Sequence, residues 1–236
     1  MPLKKQIKTP HRWDLSPYEA QQVQKELCSQ IVTADDIGEI CYVGGVVIAH
    51  SRFSDMLTVA ITVLQYPEMH QVEQRVLEFQ TKFPFIPDLL SFREVPGIVQ
   101  ALEDLPFLPD LLVVDGTGIA HPKGLGVASH LGIVADIPSI GCSRSSLAGS
   151  FVEPEINAGS QSSLVYQGEI IGTVYRSKNR VAPLFISAGH RISRETSTNL
   201  IKQFCQGYRL PEPTRIANNL LSEARQAAKE SATTGN

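Results

Sequence analysis

Apolar residues recur at helical spacing near the start of the chain, where Val23, Leu27 and Ile31 follow Ser16 and Pro17, and this predicts a capped helix over Ser16 to Val32. The period then changes. Glu39 to Ile48 (EICYVGGVVI) is β-branched and apolar, Met56 to Leu64 is a second such run, and His70 to Phe79 alternates apolar with polar positions. Three successive strands, turning at Ser51 to Asp55 and at Tyr66 to Glu68, predict an antiparallel meander. Pro96 to Leu105 and Leu125 to Ala135 carry helical patterns, each followed by a short apolar run, Asp110 to Val114 and Pro138 to Cys142. A meander followed by alternating helices and strands predicts an α/β fold with a mixed sheet, its parallel members coming after the meander and helices flanking it. Ser163 to Tyr166 and Glu169 to Tyr175, separated by Gln167-Gly168, predict a hairpin. A strand at Pro183 to Ser187 and a helix over Ser193 to Cys205 follow, and the tail from Ser222 starts helical and ends in small polar residues.

A chain of 236 residues that is 42% hydrophobic supports one core, so a single domain over residues 1–236 is expected, with flexibility before Leu15 and at the end of the tail. Cys28, Cys41, Cys142 and Cys205 lack CxxC spacing and suit a reducing, cytoplasmic compartment, and no apolar run approaches the ~18 residues of a membrane span. The net charge of -3 argues against coating of nucleic acid by the whole surface. Between Arg176 and Arg194, however, five basic residues (Arg176, Lys178, Arg180, Arg191, Arg194) occur with no acidic one. That stretch is either a phosphate track or a solvated face whose acids come from elsewhere in the fold.

Asp115 ends the apolar run LLVVD, which places a carboxylate at the carboxyl end of a buried strand, where open α/β sheets hold their ligands. It either binds a hard cation such as Mg²⁺ or caps the Asp115-Gly116 turn. Glu94, just ahead of a proline that helps start a helix, is explained on its own by first-turn charge complementarity with the helix dipole. His121 and His190 stand beside turn signals, His190 inside the basic stretch, whereas His130 falls within a helical pattern and suits packing. In Pro84-Phe85-Ile86-Pro87 two prolines stiffen a loop that carries an aromatic and a branched side chain, suited to wedge between bases or to cover the core.

In order, PFIPDLLSFRE, LLVVDGTGIAHPKGLGVASHLG, PSIGCSRSSLAG, YRSK, PLFISAGHRIS and GYRLPEPTR resemble the endonuclease V family, over about Leu15 to Arg215. The resemblance implies an RNase H-like fold and Mg²⁺-dependent (or Mn²⁺-dependent) hydrolysis of the second phosphodiester bond 3′ to deoxyinosine in DNA repair, with inosine in RNA as the other substrate of some members. It also implies a flipped hypoxanthine read largely by backbone groups near the wedge, Leu90 and Gly116; a monomer is expected. Carried over by position, Glu94 and Asp115 fall on metal ligands, His190 and Arg144 on active-site positions, and Pro84, Phe85, Ile86 and Pro87 on the wedge; from the charge of the basic stretch, Arg176, Lys178 and Arg191 are expected to contact phosphates.

The sequence departs from this pattern in its first strand. Where the family carries an aspartate, this chain reads Val43-Gly44-Gly45-Val46-Val47, so Val47 occupies the position of a metal-binding carboxylate and brings no oxygen. Along an extended strand His50 points to the opposite face from Val47. Arg144 stands where lysine is usual, Phe85 where tyrosine is common, and Asp88 where glycine is common. Two functional expectations follow: a hydrolase with a thinned metal site, or a module that binds inosine-containing nucleic acid without efficient cleavage.

Overall fold

A computed structural model describes residues 6–51 and 53–234 of the protein. Helix α1 (Pro17–Cys28) begins at Ser16, whose hydroxyl accepts from the Glu19 amide while the Glu19 carboxylate accepts from the Ser16 amide. The meander follows as β1 (Tyr42–Ser51), β2 (Ser54–Gln65) and β3 (His70–Gln80), all antiparallel. Arg52, in the first turn, lies outside the described residues.

Helix α2 (Leu90–Glu103) starts six residues before Pro96, which is tolerated inside it, so Glu94 is an interior residue and not a first-turn charge. Strands β4 (Leu111–Val114) and β5 (Ser139–Ser143), joined through α3 (Val127–Ala135), add to β1 in parallel. The hairpin of β6 (Gln161–Tyr166) and β7 (Glu169–Tyr175) turns on Gln167 and Gly168, both at positive φ. Strand β8 (Leu184–His190) and helices α4 (Arg194–Phe204) and α5 (Glu212–Thr234) complete the chain. The eight strands form one mixed sheet in the order β3-β2-β1-β4-β5-β8-β7-β6.

Strand periodicity sorts the core. Val46, Leu112 and Val114 face α2 and α3, where Val95, Ile98, Ala128 and Leu131 meet them. Val43, Leu111 and Val113 face the other way, toward Leu200, Ile201 and Phe204 of α4. Helix α5 lies over β1 and β2 on that second face. It begins ten residues before the expected Ser222, because the segment from Glu212 is already packed on the sheet.

The described part of the N-terminal segment is tied down rather than loose. The Ile7 amide donates to Glu103, and His11 meets His130, 2.9 Å between their Nε2 atoms. Residues 1–5 and 235–236, including Lys4 and Lys5, lie outside the described residues. Among the described residues no helix is long and apolar enough to cross a membrane.

Candidate nucleic-acid site

Strands β1, β4 and β5 run parallel, so their carboxyl ends meet at one edge of the sheet. There the Asp115 amide donates to the Val46 carbonyl at 2.9 Å, which continues the β1–β4 register and sets Val47 opposite Asp115. Arg144 follows the last residue of β5. Its Nη2 donates to Asp115 Oδ2 at 3.0 Å, and Asn218 Nδ2 on α5 approaches the same oxygen at 3.4 Å. The Asp115 carboxylate is 11% exposed, so a counter-charge is required, and Arg144 supplies it.

Asn218 reaches the site because α5 lies unusually close to β1. A Cβ on Gly45 would stand 2.0 Å from the Pro213 carbonyl oxygen, so only glycine admits that approach. The same carbonyl accepts from Thr62 Oγ1 at 3.0 Å. One turn further on, Ala217 and Leu221 cover Val47, which is 2% exposed. The sequence pattern does not mark Asn218, because its helical signal begins only at Ser222 whereas α5 begins at Glu212.

His50 lies on the α2 face, as the alternation of β1 requires, and there its Nδ1–H donates to Glu94 Oε1 at 2.9 Å. The hydrogen bond from Glu94 raises the His50 pKa, against the lowering effect of its burial. This pair joins residues 44 positions apart, and no local pattern announces it. The His50 ring also stands 5.5 Å from that of Phe85, in the loop expected to form a wedge. Ile86, by contrast, packs with Phe83, Leu89 and Phe92, so one half of the loop faces the site and the other covers core.

Between these groups is a cavity of about 380 Å³ lined by His50, Pro87, Leu90, Glu94, Asp115 and Gly116, among others. Gly116 is held against α3: a Cβ there would meet Val127 Cγ1 at 2.4 Å. Arg144 and His50 also line a more open groove of about 700 Å³ that runs past Val47 and Asn218 to Arg225 on α5. His121 lines the cavity as well, its pKa lowered mainly by burial. His130 is fully buried between His11 and Ser91, a packing residue as its helical setting suggested.

The structure does not bring His190 to this edge. Strand β8 runs antiparallel to β5, so His190 pairs with Ser139 at the start of β5, whereas Arg144 follows its end. The separation is roughly 15 Å at about 3.3 Å per residue. His190 Nδ1 instead accepts from the Val32 amide at 3.3 Å, and burial lowers its pKa.

Two arginines of the basic stretch are not free to track phosphates. Arg176 is 5% exposed, and its guanidinium donates to the carbonyls of Glu155, Pro154 and Val181 and to the Glu153 carboxylate. Arg191 pairs with Asp36 at 2.9 Å and with Asp136 at 3.0 Å. Acids from elsewhere in the fold therefore neutralise both, and of the three expected phosphate contacts Lys178 is the exposed one.

The donor set does not suit a resident divalent cation. Mg²⁺ takes about six oxygen ligands in a near-octahedral shell. Here one Asp115 oxygen is held by a guanidinium and an amide, a Glu94 oxygen is held by an imidazole N–H, and Val47 contributes only alkyl surface. Among the described residues no group of three or more His, Cys, Asp and Glu side chains is placed to share a metal ion.

Comparison with known proteins agrees with the fold. The family model described as Endonuclease V matches residues 25–219. A protein of Dehalococcoides mccartyi named Endonuclease V is 43% identical over 217 residues, which cover 92% of this chain and 97% of that protein. The crystal structure of the Endonuclease V from Streptomyces avermitilis superposes with a TM-score of 0.85 at 32% identity, covering 95% of this chain and 100% of that one. A Ciona intestinalis Endonuclease V, crystallised with a 24mer DNA containing an inosine followed by a ribo-adenosine, superposes with a TM-score of 0.77 at 25% identity, covering 89% and 98%.

Proposed function

The chain belongs to the endonuclease V family, whose RNase H-like fold it shares, and on that premise we propose that it recognises inosine-containing nucleic acid, DNA in the first place, as a cytoplasmic monomer. The observation that carries this reading is that His50 lines the cavity at Gly116 and also stands beside the Phe85 ring, at the carboxyl edge of the parallel strands. A ring beside the cavity-lining His50 can fill the gap left by an extruded base, which offsets part of the cost of unstacking. The extruded hypoxanthine enters the cavity, where backbone around Gly116 can approach its edge closely. The Ciona relative crystallised with a DNA containing an inosine followed by a ribo-adenosine supports the choice of lesion.

Hydrolysis is the weakened half of the function. The resemblance implies cutting the second phosphodiester bond 3′ to the lesion with Mg²⁺, yet the residues at this edge do not form a divalent-cation site. Loss of one electrostatic group commonly costs on the order of 10²–10³ in rate, so cleavage is expected at a small fraction of the rate of a site with a full ligand set. In this reading Asp115 holds Arg144 in place, Glu94 fixes the His50 ring beside the wedge, and Leu90 and Pro87 exclude water from the base.

The test is paired. Binding of inosine-containing and unmodified oligonucleotides, DNA and RNA, is measured by fluorescence anisotropy, and cleavage of the same strands is followed with Mg²⁺ and with Mn²⁺. Preference for inosine with slow cutting is the expected result. Equal affinity for modified and unmodified strands overturns the recognition reading, and rapid cutting overturns the weakened hydrolysis.

A further inference from the structure

We propose that Arg144 stands in for a divalent cation at this site: its guanidinium neutralises Asp115 on one side and takes a nucleic-acid phosphate on the other, so that strands bind without metal. The inference rests on the inosine reading above and concerns how the strand is held.

Two buried carboxylates at the mouth of a cavity repel an approaching phosphate unless a cation intervenes. In this chain the cation is covalently present. Arg144 follows β5, the strand beside Asp115, and places Nη2 3.0 Å from Oδ2. Its side chain is nevertheless 54% exposed, which leaves guanidinium N–H groups facing solvent, in the fork geometry that matches a phosphate. Asn218 adds an amide donor to the same Asp115 oxygen, and the His50 Nδ1–H satisfies Glu94. Neither carboxylate is then left bare.

The position of Arg144 suits this role. Arg144 lines both the cavity and the open groove that leads to Arg225. The backbone of a strand whose base occupies the cavity must pass through that junction, and a phosphate arriving there meets Arg144 first.

The experiment is a titration of inosine-containing and unmodified oligonucleotides by fluorescence anisotropy, in EDTA and in MgCl₂ at matched ionic strength, for the full chain and for Arg144→Ala and Arg144→Lys. The full chain should bind the inosine strand equally well in both buffers. Arg144→Ala should weaken binding in EDTA about tenfold or more, the loss of one charge-assisted contact, and Arg144→Lys should fall between the two. Thermal melts confirm that the variants are folded, which this exposed position permits. An inosine preference that appears only with Mg²⁺, or an Arg144→Ala variant that binds like the parent in EDTA, overturns the inference and leaves the lesion reading intact. No preference for inosine in either buffer overturns the lesion reading itself.

Discussion

The carbonyl oxygen of Pro213 occupies space that a Cβ on Gly45 would need, 2.0 Å from where that atom would stand. This contact seats the first turn of α5 on β1 and thereby carries Asn218 to Asp115. Gly45→Ala should therefore cost about 3 kcal/mol, because the clash is with backbone and not with a side chain able to rotate away. Chemical denaturation measures the cost, and an unchanged midpoint would show that α5 is free to shift.

Val47→Asp should raise Mg²⁺-dependent cleavage on the order of 10², since it sets a second carboxylate opposite Asp115, where a shared ion can displace the Arg144 guanidinium. In EDTA the same change should destabilise the chain by about 3 kcal/mol, because the new charge lies against Ala217 and Leu221 and beside a like charge. Mg²⁺ should recover part of that loss. Cleavage rates and melting temperatures with and without the ion check both halves, and parent activity equal to the variant's would remove Val47 from the site.

Phe85→Ala should weaken binding to the inosine strand by about 1–3 kcal/mol if the ring stacks on a base or fills its gap. Ile86→Ala should act mainly on stability, since Ile86 packs with Phe83 and Leu89. A binding titration and a melt for each variant separate the two roles, and normal inosine affinity in Phe85→Ala would reduce the loop to core cover.

Arg176 and Arg225 should respond in opposite ways to charge removal. Arg176→Ala leaves buried carbonyls of Pro154 and Val181 without their donor and should cost about 3 kcal/mol of stability. Arg225→Gln, on the exposed groove wall, should leave stability unchanged, weaken modified and unmodified strands alike, and flatten the dependence of log K on log salt by about one unit. A salt titration decides, and an unaltered slope would place the strand elsewhere.

The His11–His130 contact makes stability sensitive to acid. Burial lowers both pKa values, that of His130 well below its ordinary 6.5. The unfolded chain therefore takes up protons first as pH falls: the contribution is complete above about pH 6.5 and is lost below it, toward the folded-state values. Melting temperature should drop between pH 7 and pH 5, and His130→Gln should flatten that drop. A slope unchanged by the substitution would assign the effect to other groups.

Most of the sheet was legible in the sequence because its signals are local. Alternation in His70 to Phe79, β-branched runs around Val46 and Val59, and Gln167-Gly168 between two strands each fix an element without reference to the rest of the chain. Asp115 was legible for the same reason, as the end of an apolar run. What escaped depends on packing between distant segments. His50 meets Glu94, and Asn218 meets Asp115 across 103 residues. The antiparallel entry of β8 turns His190 toward the opposite edge, although its neighbours in sequence suggest a site. The acids that silence Arg176 and Arg191 likewise come from Glu153, Asp36 and Asp136, outside the basic stretch.

The tether at the front of the chain reaches further than its place in the sequence suggests. His11 holds His130, His130 holds Ser91 at 2.9 Å, and Ser91 lines the cavity that would receive the base. A truncation that removes His11, or a fusion partner that pulls it from its seat, therefore perturbs the pocket wall from behind. Protein made with a shortened N-terminus would misreport affinity for the lesion even when every residue facing the strand is intact.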